Sequence, residues 1–266
     1  MKTWIYSLLG LFLIAGLAAC ARATQKPASL TVFAAASLTE PFGEIGHQFE
    51  AQHPGVTVNF NFAGSQQLEQ QIKDGAPVDV FASANQNQMQ DAIQSGRIIS
   101  GTDHIFVRNR LVVIYPKSNP AGLAQLQDLG RSGLKLVLAA KEVPVGQYTL
   151  NFLDKAAQDP AFGANYKNAV LQNVVSYEND VKLVLTKISL GEADAGIVYT
   201  SDLAGSGAAN VGKIDIPDAL NVIATYPLAA LRDTPNPALA KAFVDAVLSS
   251  QGQAVLAKYG FIPVSP

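Results

Sequence analysis

Cysteine occurs once in this chain of 266 residues, at Cys20, which excludes an internal disulfide and a zinc site built from several cysteines. Histidine is almost as scarce. His47, His53 and His104 have no metal-ligand spacing, and none offers a recognisable base to a serine. No serine stands in a G-x-S-x-G elbow, and neither a Walker loop nor a G-x-G-x-x-G turn is present. Charge is also sparse, at 15% of residues with a formal net charge of −2. No basic stripe with interleaved aromatics is found, so nucleic acid is not an expected partner. These absences leave the chain without a visible enzyme motif and without an expected cofactor or direct metal cation site.

What is present begins with a leader. Lys2 gives a short positive region, residues 4–15 are almost wholly apolar, and small residues lead to Cys20. The pattern is that of a secretory signal peptide over 1–19. Leu17-Ala18-Ala19-Cys20 resembles the lipobox of bacterial lipoproteins, which implies a lipid-carrying Cys20 at the mature N-terminus. Residues 20–29 then read as a polar tether to a membrane, and the folded domain is expected to start near Leu30.

From there strands alternate with helices. Residues 30–36 are strand-like, and 38–52 place Leu38, Phe42, Ile45 and Phe49 on one helical face. Residues 56–62 alternate apolar and polar as a half-buried strand; 66–73 are helical, 78–84 a strand and 86–95 a helix ending at Gly96. A second series follows, with strands at 110–115, 134–140, 170–176 and 193–199. Its helices are expected at 144–158 and 180–190, the first opened by Pro144. The run 220–231 returns the chain to the first unit, and 236–249 and 251–259 close it as helices. This order predicts an α/β fold with mainly parallel sheets flanked by helices. A two-strand hinge near residues 110 and 222 would join lobe 1 (30–112 with 222–266) to lobe 2 (113–221).

Several helices start directly after strands. Ser37 stands three residues before Glu40, the spacing of a capping box, and Ser65 opens the next helix. Val145 and Val181 open two more. A helix start leaves N–H groups without partners and carries partial positive charge, so an anion can settle there without lysine or arginine. Taken singly, each start is more readily a cap than a ligand.

The sequence runs Val32-Phe-Ala-Ala-Ala-Ser-Leu38, Phe62-Ala-Gly-Ser65, Gly75-Ala-Pro-Val-Asp-Val-Phe81, Val143-Pro-Val-Gly146, Glu178-Asn-Asp-Val181, Gly196-Ile-Val-Tyr-Thr-Ser-Asp202 and Tyr259-Gly-Phe261. In order, these resemble the molybdate-binding proteins of bacterial ABC importers over residues 29–263. The resemblance implies a two-lobed periplasmic-binding-protein fold that closes on a tetrahedral oxyanion, molybdate or tungstate. It implies hydroxyl and N–H donors from Ser37 and Ser65, N–H donors from Val145 and Val181, and the phenol of Tyr199. It also implies a membrane permease and its ATPase as partners, and an extracytoplasmic monomer. Two positions depart from the family. Val145 stands where a smaller alanine is frequent, altering cavity size, and Gly64 replaces a frequent serine, which would loosen that turn.

The donor set suits a fully deprotonated dianion, which offers only acceptors. Phosphate keeps a proton near neutral pH and needs an acceptor too; Asp180 is the nearest, though a helix start makes it a cap. Sulfate or thiosulfate fits the same chemistry and remains a rival. A serine hydrolase using Ser37 or Ser65, and a structural lipoprotein without a ligand, are the rivals of other classes.

Overall fold

The computed structural model describes residues 28–264. The leader, Cys20 and most of the tether lie outside the described residues. The elements are β1 (Ala28–Ala35), α1 (Thr39–Gln52), β2 (Val56–Ala63), α2 (Ser65–Lys73), β3 (Val80–Ala82), α3 (Gln86–Gln94), β4 (His104–Asn109), β5 (Leu111–Pro116), β6 (Leu136–Ala139) and α4 (Pro144–Gln158). They continue as α5 (Tyr166–Gln172), β7 (Val174–Glu178), α6 (Val181–Ser189), β8 (Ala195–Tyr199), β9 (Val211–Asp215), β10 (Ala224–Ala230), α7 (Pro237–Leu248), α8 (Ser250–Lys258) and β11 (Ile262–Pro263).

Two sheets form, each flanked by helices, in the orders β11-β4-β10-β3-β1-β2 and β7-β6-β8-β5-β9. The parallel cores are β2-β1-β3 and β7-β6-β8. Every other pairing is antiparallel, so the sheets are more mixed than the expected mainly parallel ones. The cause is topological. Strands β4 and β5 carry the chain from the first sheet into the second, β9 and β10 bring it back, and a strand arriving from the other sheet runs against its neighbours.

Local differences from the sequence reading have local causes. β1 begins at Ala28, inside the stretch read as tether, because Ala28 and Ser29 pair with Val56 and Thr57. Residues 170–172 are helical, not strand, since Val170 lies one turn after Tyr166 and both bury on one face of α5. The next strand starts only after Asn173, whose amide donates to the carbonyls of Leu129 and Arg131. The strand β4, to which the sequence reading assigned no element, is held between β10 and β11.

The core explains the helix positions. Phe42 and Phe49 of α1 meet Phe243 of α7 edge-on, with ring centroids 6.0 and 5.4 Å apart. Such aromatic contacts add to the area they bury. Where the chain passes between sheets, buried asparagines replace apolar packing. Asn109 ends β4. Asn221, just before β10, accepts from Leu111 N–H at 3.0 Å and donates to the Leu111 carbonyl at 2.9 Å. Both crossings are thereby tied to the first residue of β5, and its buried backbone groups are satisfied.

Of the polar bridges between the halves among the described residues, three lie beside the cleft. Gln66 Nε2 donates to the Asn179 carbonyl at 2.9 Å, and Asn85 and Asn87 both donate to Gln147 Oε1. The third is ionic. Lys182 Nζ of α6 lies 2.8 Å from Glu40 Oε2 of α1 and 3.5 Å from Asp202 Oδ1, in the short turn after β8. Burial pushes the Asp202 carboxyl up to about 6, with Lys182 opposing the rise. A raised carboxyl favours the folded state at low pH. Its contribution is full below the ordinary value of 3.8 and is lost as pH rises through about 6. The expected loss is roughly 2–3 kcal/mol. In urea unfolding, the stability of the wild type relative to Asp202→Asn should therefore fall by that order between pH 3.5 and pH 7.5. A difference independent of pH would contradict this origin.

Candidate functional site

The strand ends that carry the proposed residues gather at one cleft between the two sheets. Ala35, Ala36 and Ser37 follow β1; Ala63, Gly64 and Ser65 follow β2; Val143, Pro144 and Val145 open α4; Asp180 and Val181 open α6; Ala84 and Tyr199 complete the lining. All five residues that the resemblance implies as oxyanion ligands are in this lining. They meet because parallel strands bring their C-terminal ends to one edge of a sheet, the usual crevice of open α/β folds. The space open to the centre of a water-sized sphere is only about 10 Å³. That is room on the order of one water-sized group, so the two halves meet closely around the cleft.

Each donor has an identifiable origin. Val145 is the second residue of α4 and Val181 the first of α6, positions whose N–H groups have no intrahelical partner. Pro144 suits the first helical position because its missing N–H is one that a helix leaves unpaired there. Asp180 caps α6 by accepting from Leu183 N–H at 2.9 Å, so the cap and the pocket-facing residue are neighbours. Ser65 is also a first helical residue, with Gly64 before it as the flanking cap position. Its Oγ accepts from Ala84 N–H at 3.0 Å. A backbone N–H can only donate, so the Ser65 hydroxyl proton is left for the cleft.

Ser37 departs from expectation. The S-x-x-E spacing does not form a capping box, because Ser37 lies inside a short 3-10 turn (Ala36–Leu38), and Leu38 occupies the cap position of α1 with no side-chain bond. Its Oγ lies 3.0 Å from the Tyr226 hydroxyl. Glu40 is drawn away to Lys182 across the cleft. An ion pair between the halves has replaced a local cap.

Tyr199 is the least ordinary member. It ends β8, is 1% exposed, and its ring packs between Tyr226 at 5.8 Å and Tyr148 at 6.5 Å. Its hydroxyl is buried with no hydrogen-bond partner among the described residues. An orphaned buried hydroxyl costs on the order of 1–3 kcal/mol, so a group supported only by the protein would be selected against. Burial, with Tyr226 next in effect, pushes the phenol well above its ordinary value and keeps it a donor. Its own N–H donates to Asp202 Oδ2 at 3.0 Å, which fixes the strand end.

Among the described residues the lining contains no lysine, arginine or histidine, and Asp180 is its one acidic residue. Attraction for an anion therefore comes from N–H groups, hydroxyls and helix termini. Gly64 does not loosen its turn, which is held by bonds from Gln67 N–H and Leu68 N–H to its carbonyl. Its φ of −60° and ψ of 135° are open to any residue. The need for glycine is external: a Cβ there would lie 2.3 Å from the Asn179 carbonyl oxygen of the opposite half. Sequence reasoning missed Asn109, Gln147, Lys182 and Tyr226. It quoted Asp202 only as part of a motif. Tyr226 alone had a signal, as the one hydroxyl-bearing aromatic in the apolar run 220–231.

Comparison with known proteins agrees with this geometry. Residues 30–262 match the family described as bacterial extracellular solute-binding protein. The chain is 39% identical over 263 residues to the molybdate-binding protein ModA of Mycobacterium tuberculosis, covering 96% of this chain and 95% of that one. It is 30% identical over 261 residues to the putative ABC transporter substrate-binding lipoprotein YvgL of Bacillus subtilis, covering 97% and 96%. Among solved structures, the sulfate-binding protein SubI of Mycobacterium tuberculosis shares the fold with a TM-score of 0.79 at 20% identity, covering 90% of this chain and 88% of that one. With a family match across nearly the whole described fold, the chain belongs to the bacterial extracellular solute-binding proteins.

Proposed function

We propose that this protein captures molybdate or tungstate outside the cytoplasm and delivers it to an ABC importer, a membrane permease with its cytoplasmic ATPase. The observation that carries the reading is the buried Tyr199 hydroxyl, without a partner among the described residues, in the lining of a small cleft that holds serines and helix starts and no cationic side chain. A tetrahedral dianion would give that hydroxyl an acceptor. In return it would receive hydroxyl protons from Ser37 and Ser65 and N–H groups at Val145 and Val181. Desolvating a dianion is expensive unless its oxygens are well bonded, and fixed donors supply the bonds without reorganising. The relatedness to ModA favours molybdate among such ions.

Capture is closure of two lobes, 30–112 with 222–266 and 113–221, about the crossings at Asn109 and Asn221. The bridges from Gln66, Gln147 and Lys182 belong to the closed form. Cys20 carries the lipid that tethers a monomeric protein to a membrane. The lipobox-like Leu17-Ala18-Ala19-Cys20 and the resemblance, over 96% of its length, to a protein named a putative lipoprotein support that anchor.

Sulfate binding is a second reading, favoured by the shared fold with a sulfate-binding protein. Donor chemistry cannot separate the two ions, but cavity size can. Calorimetry should show molybdate binding that survives a large excess of sulfate; displacement by sulfate would transfer the assignment to that ion. Ser37→Ala and Tyr199→Phe should each weaken binding by about 1–3 kcal/mol, the range for hydrogen bonds to charged groups, with the fold intact by circular dichroism. Unchanged affinity in both would move the site elsewhere.

Gly64 offers an independent check on closure. Gly64→Ala should weaken molybdate binding by about 1–3 kcal/mol, the usual cost of forced overpacking, because its Cβ meets the Asn179 carbonyl only when the halves close. Thermal stability without ligand should hardly change. Equal affinity in the variant would mean that the closed approach is not needed for binding.

A further inference from the structure

Ser37 differs from Ser65 in what fills its acceptor side. For Ser65 the donor is a backbone N–H, which cannot reverse. For Ser37 it is the Tyr226 hydroxyl, and either oxygen of that 3.0 Å pair could donate. The direction of this bond decides whether Ser37 presents a proton or a lone pair to the cleft. That choice bears on which oxyanions fit.

Asn109 resolves the direction. Its Oδ1 accepts from Arg110 N–H at 2.9 Å and from Thr200 Oγ1 at 3.0 Å. The Arg110 N–H is an obligate donor, so the amide cannot be turned the other way. Asn109 Nδ2 then faces Ser201 Oγ at 2.8 Å and, at a longer 3.5 Å, the Tyr226 hydroxyl. An amide nitrogen accepts nothing. Among the described residues two groups lie within hydrogen-bond distance of the Tyr226 hydroxyl, and of these only Ser37 Oγ can take its proton. Burial keeps the phenol protonated well beyond its ordinary range, so the donor is permanent.

Tyr226 is held in place for this. It is fully buried on β10, with its ring edge-on to Phe261 at 5.5 Å and to Phe106 at 6.3 Å. The register between β10 and β4 slips between Tyr226 and Pro227, where proline has no N–H for the ladder. Bulges of this kind re-aim side chains beside functional sites.

We propose that Asn109 and Tyr226 form a one-way hydrogen-bond relay that makes Ser37 an obligate proton donor, so that the site selects fully deprotonated oxyanions over those that carry a proton. The proposal rests on the oxyanion reading above and adds positioning residues and a selectivity rule to it. Tyr226 touches no solute. It acts through Ser37, and Asn109 acts through Tyr226. Because Asn109 also ends the strand at one crossing between the lobes, the polarity of the site is set from the hinge.

The test is Tyr226→Phe, which keeps the ring packing and removes the hydroxyl. Wild type and variant are titrated at pH 7 with sodium molybdate, sulfate and phosphate. Freed of its incoming proton, Ser37 Oγ can accept from a phosphate hydroxyl. The expected result is a fall of about tenfold in the affinity ratio of molybdate to phosphate, with molybdate weakened and phosphate held or improved. In a Ser37→Ala background the same exchange should leave the ratio unchanged, as a double-mutant cycle requires if the effect passes through Ser37. Should Tyr226→Phe not fold, Asn109→Asp takes its place. It gives Tyr226 a competing acceptor and predicts the same shift. An unaltered ratio, or an equal loss for all anions in both backgrounds, overturns the relay. Failure of the wild type to bind molybdate while sulfate binds overturns the molybdate assignment alone, and the relay is then read from the sulfate-to-phosphate ratio. Binding of none of the three overturns both.

Discussion

A dianion taken out of water must be met on every oxygen by a donor, and this cleft contains no cationic side chain with which to do it. On the oxyanion reading proposed above, the rest of the architecture follows from that demand. Neutral donors are weak singly, so several must converge, and they must be fixed before the ligand arrives. Helix starts meet both conditions, since their N–H groups are rigid and unpaired by construction. Parallel strands running into helices place such starts along one sheet edge. Two sheets facing each other then enclose the ion from both sides. A lysine in the cleft would attract the ion more simply, but its long side chain must be ordered on binding, and a strong charge pair opposes release.

The same demand explains where charges do appear. Glu40, Lys182 and Asp202 lie beside the cleft and across the two halves, not in its lining. There they join the two halves without entering the cleft lining. Asp202 is buried and Lys182 only partly offsets its desolvation, so the bridge works against a cost in stability. Its other oxygen accepts from Tyr199 N–H, which fixes the strand end carrying the orphaned phenol. The group that joins the halves thus also orients one of the donors.

Much of this was legible in the chain, and the division follows the range of the interactions. Helices α4 and α7 and the helix starts at Val145 and Val181 rest on local signals, a proline at the first position or apolar residues at helical spacing, and they stand where those signals put them. Asp180 reads as a cap and is one. Where neighbours far along the chain compete, local signals misled. Ser37 and Glu40 have the spacing of a capping box, yet Tyr226 takes the serine and Lys182 the glutamate, from 189 and 142 residues away. β4 has no strong period of its own and is a strand because β10 and β11 flank it. The five ligand residues came from an ordered resemblance, since no single turn distinguishes a cap from a site.

Gly64 and Tyr226 show what lies beyond any local reading. Nothing in the backbone angles of Gly64 calls for glycine, and its requirement exists only when Asn179 of the other half approaches. Tyr226 sits in an apolar run as one more buried ring, and its hydroxyl has meaning only through Ser37 on one side and Asn109 on the other. The first arises between the two halves, the second within the first sheet, which carries β1, β4 and β10. A sequence specifies them through pairs of residues far apart in the chain that meet only once the fold has formed. For that reason selectivity and closure are the parts of function that periodicity reaches last. In this fold they are also coupled, because Asn109, which ends the strand leaving the first sheet, is the residue that orients the donor in the cleft.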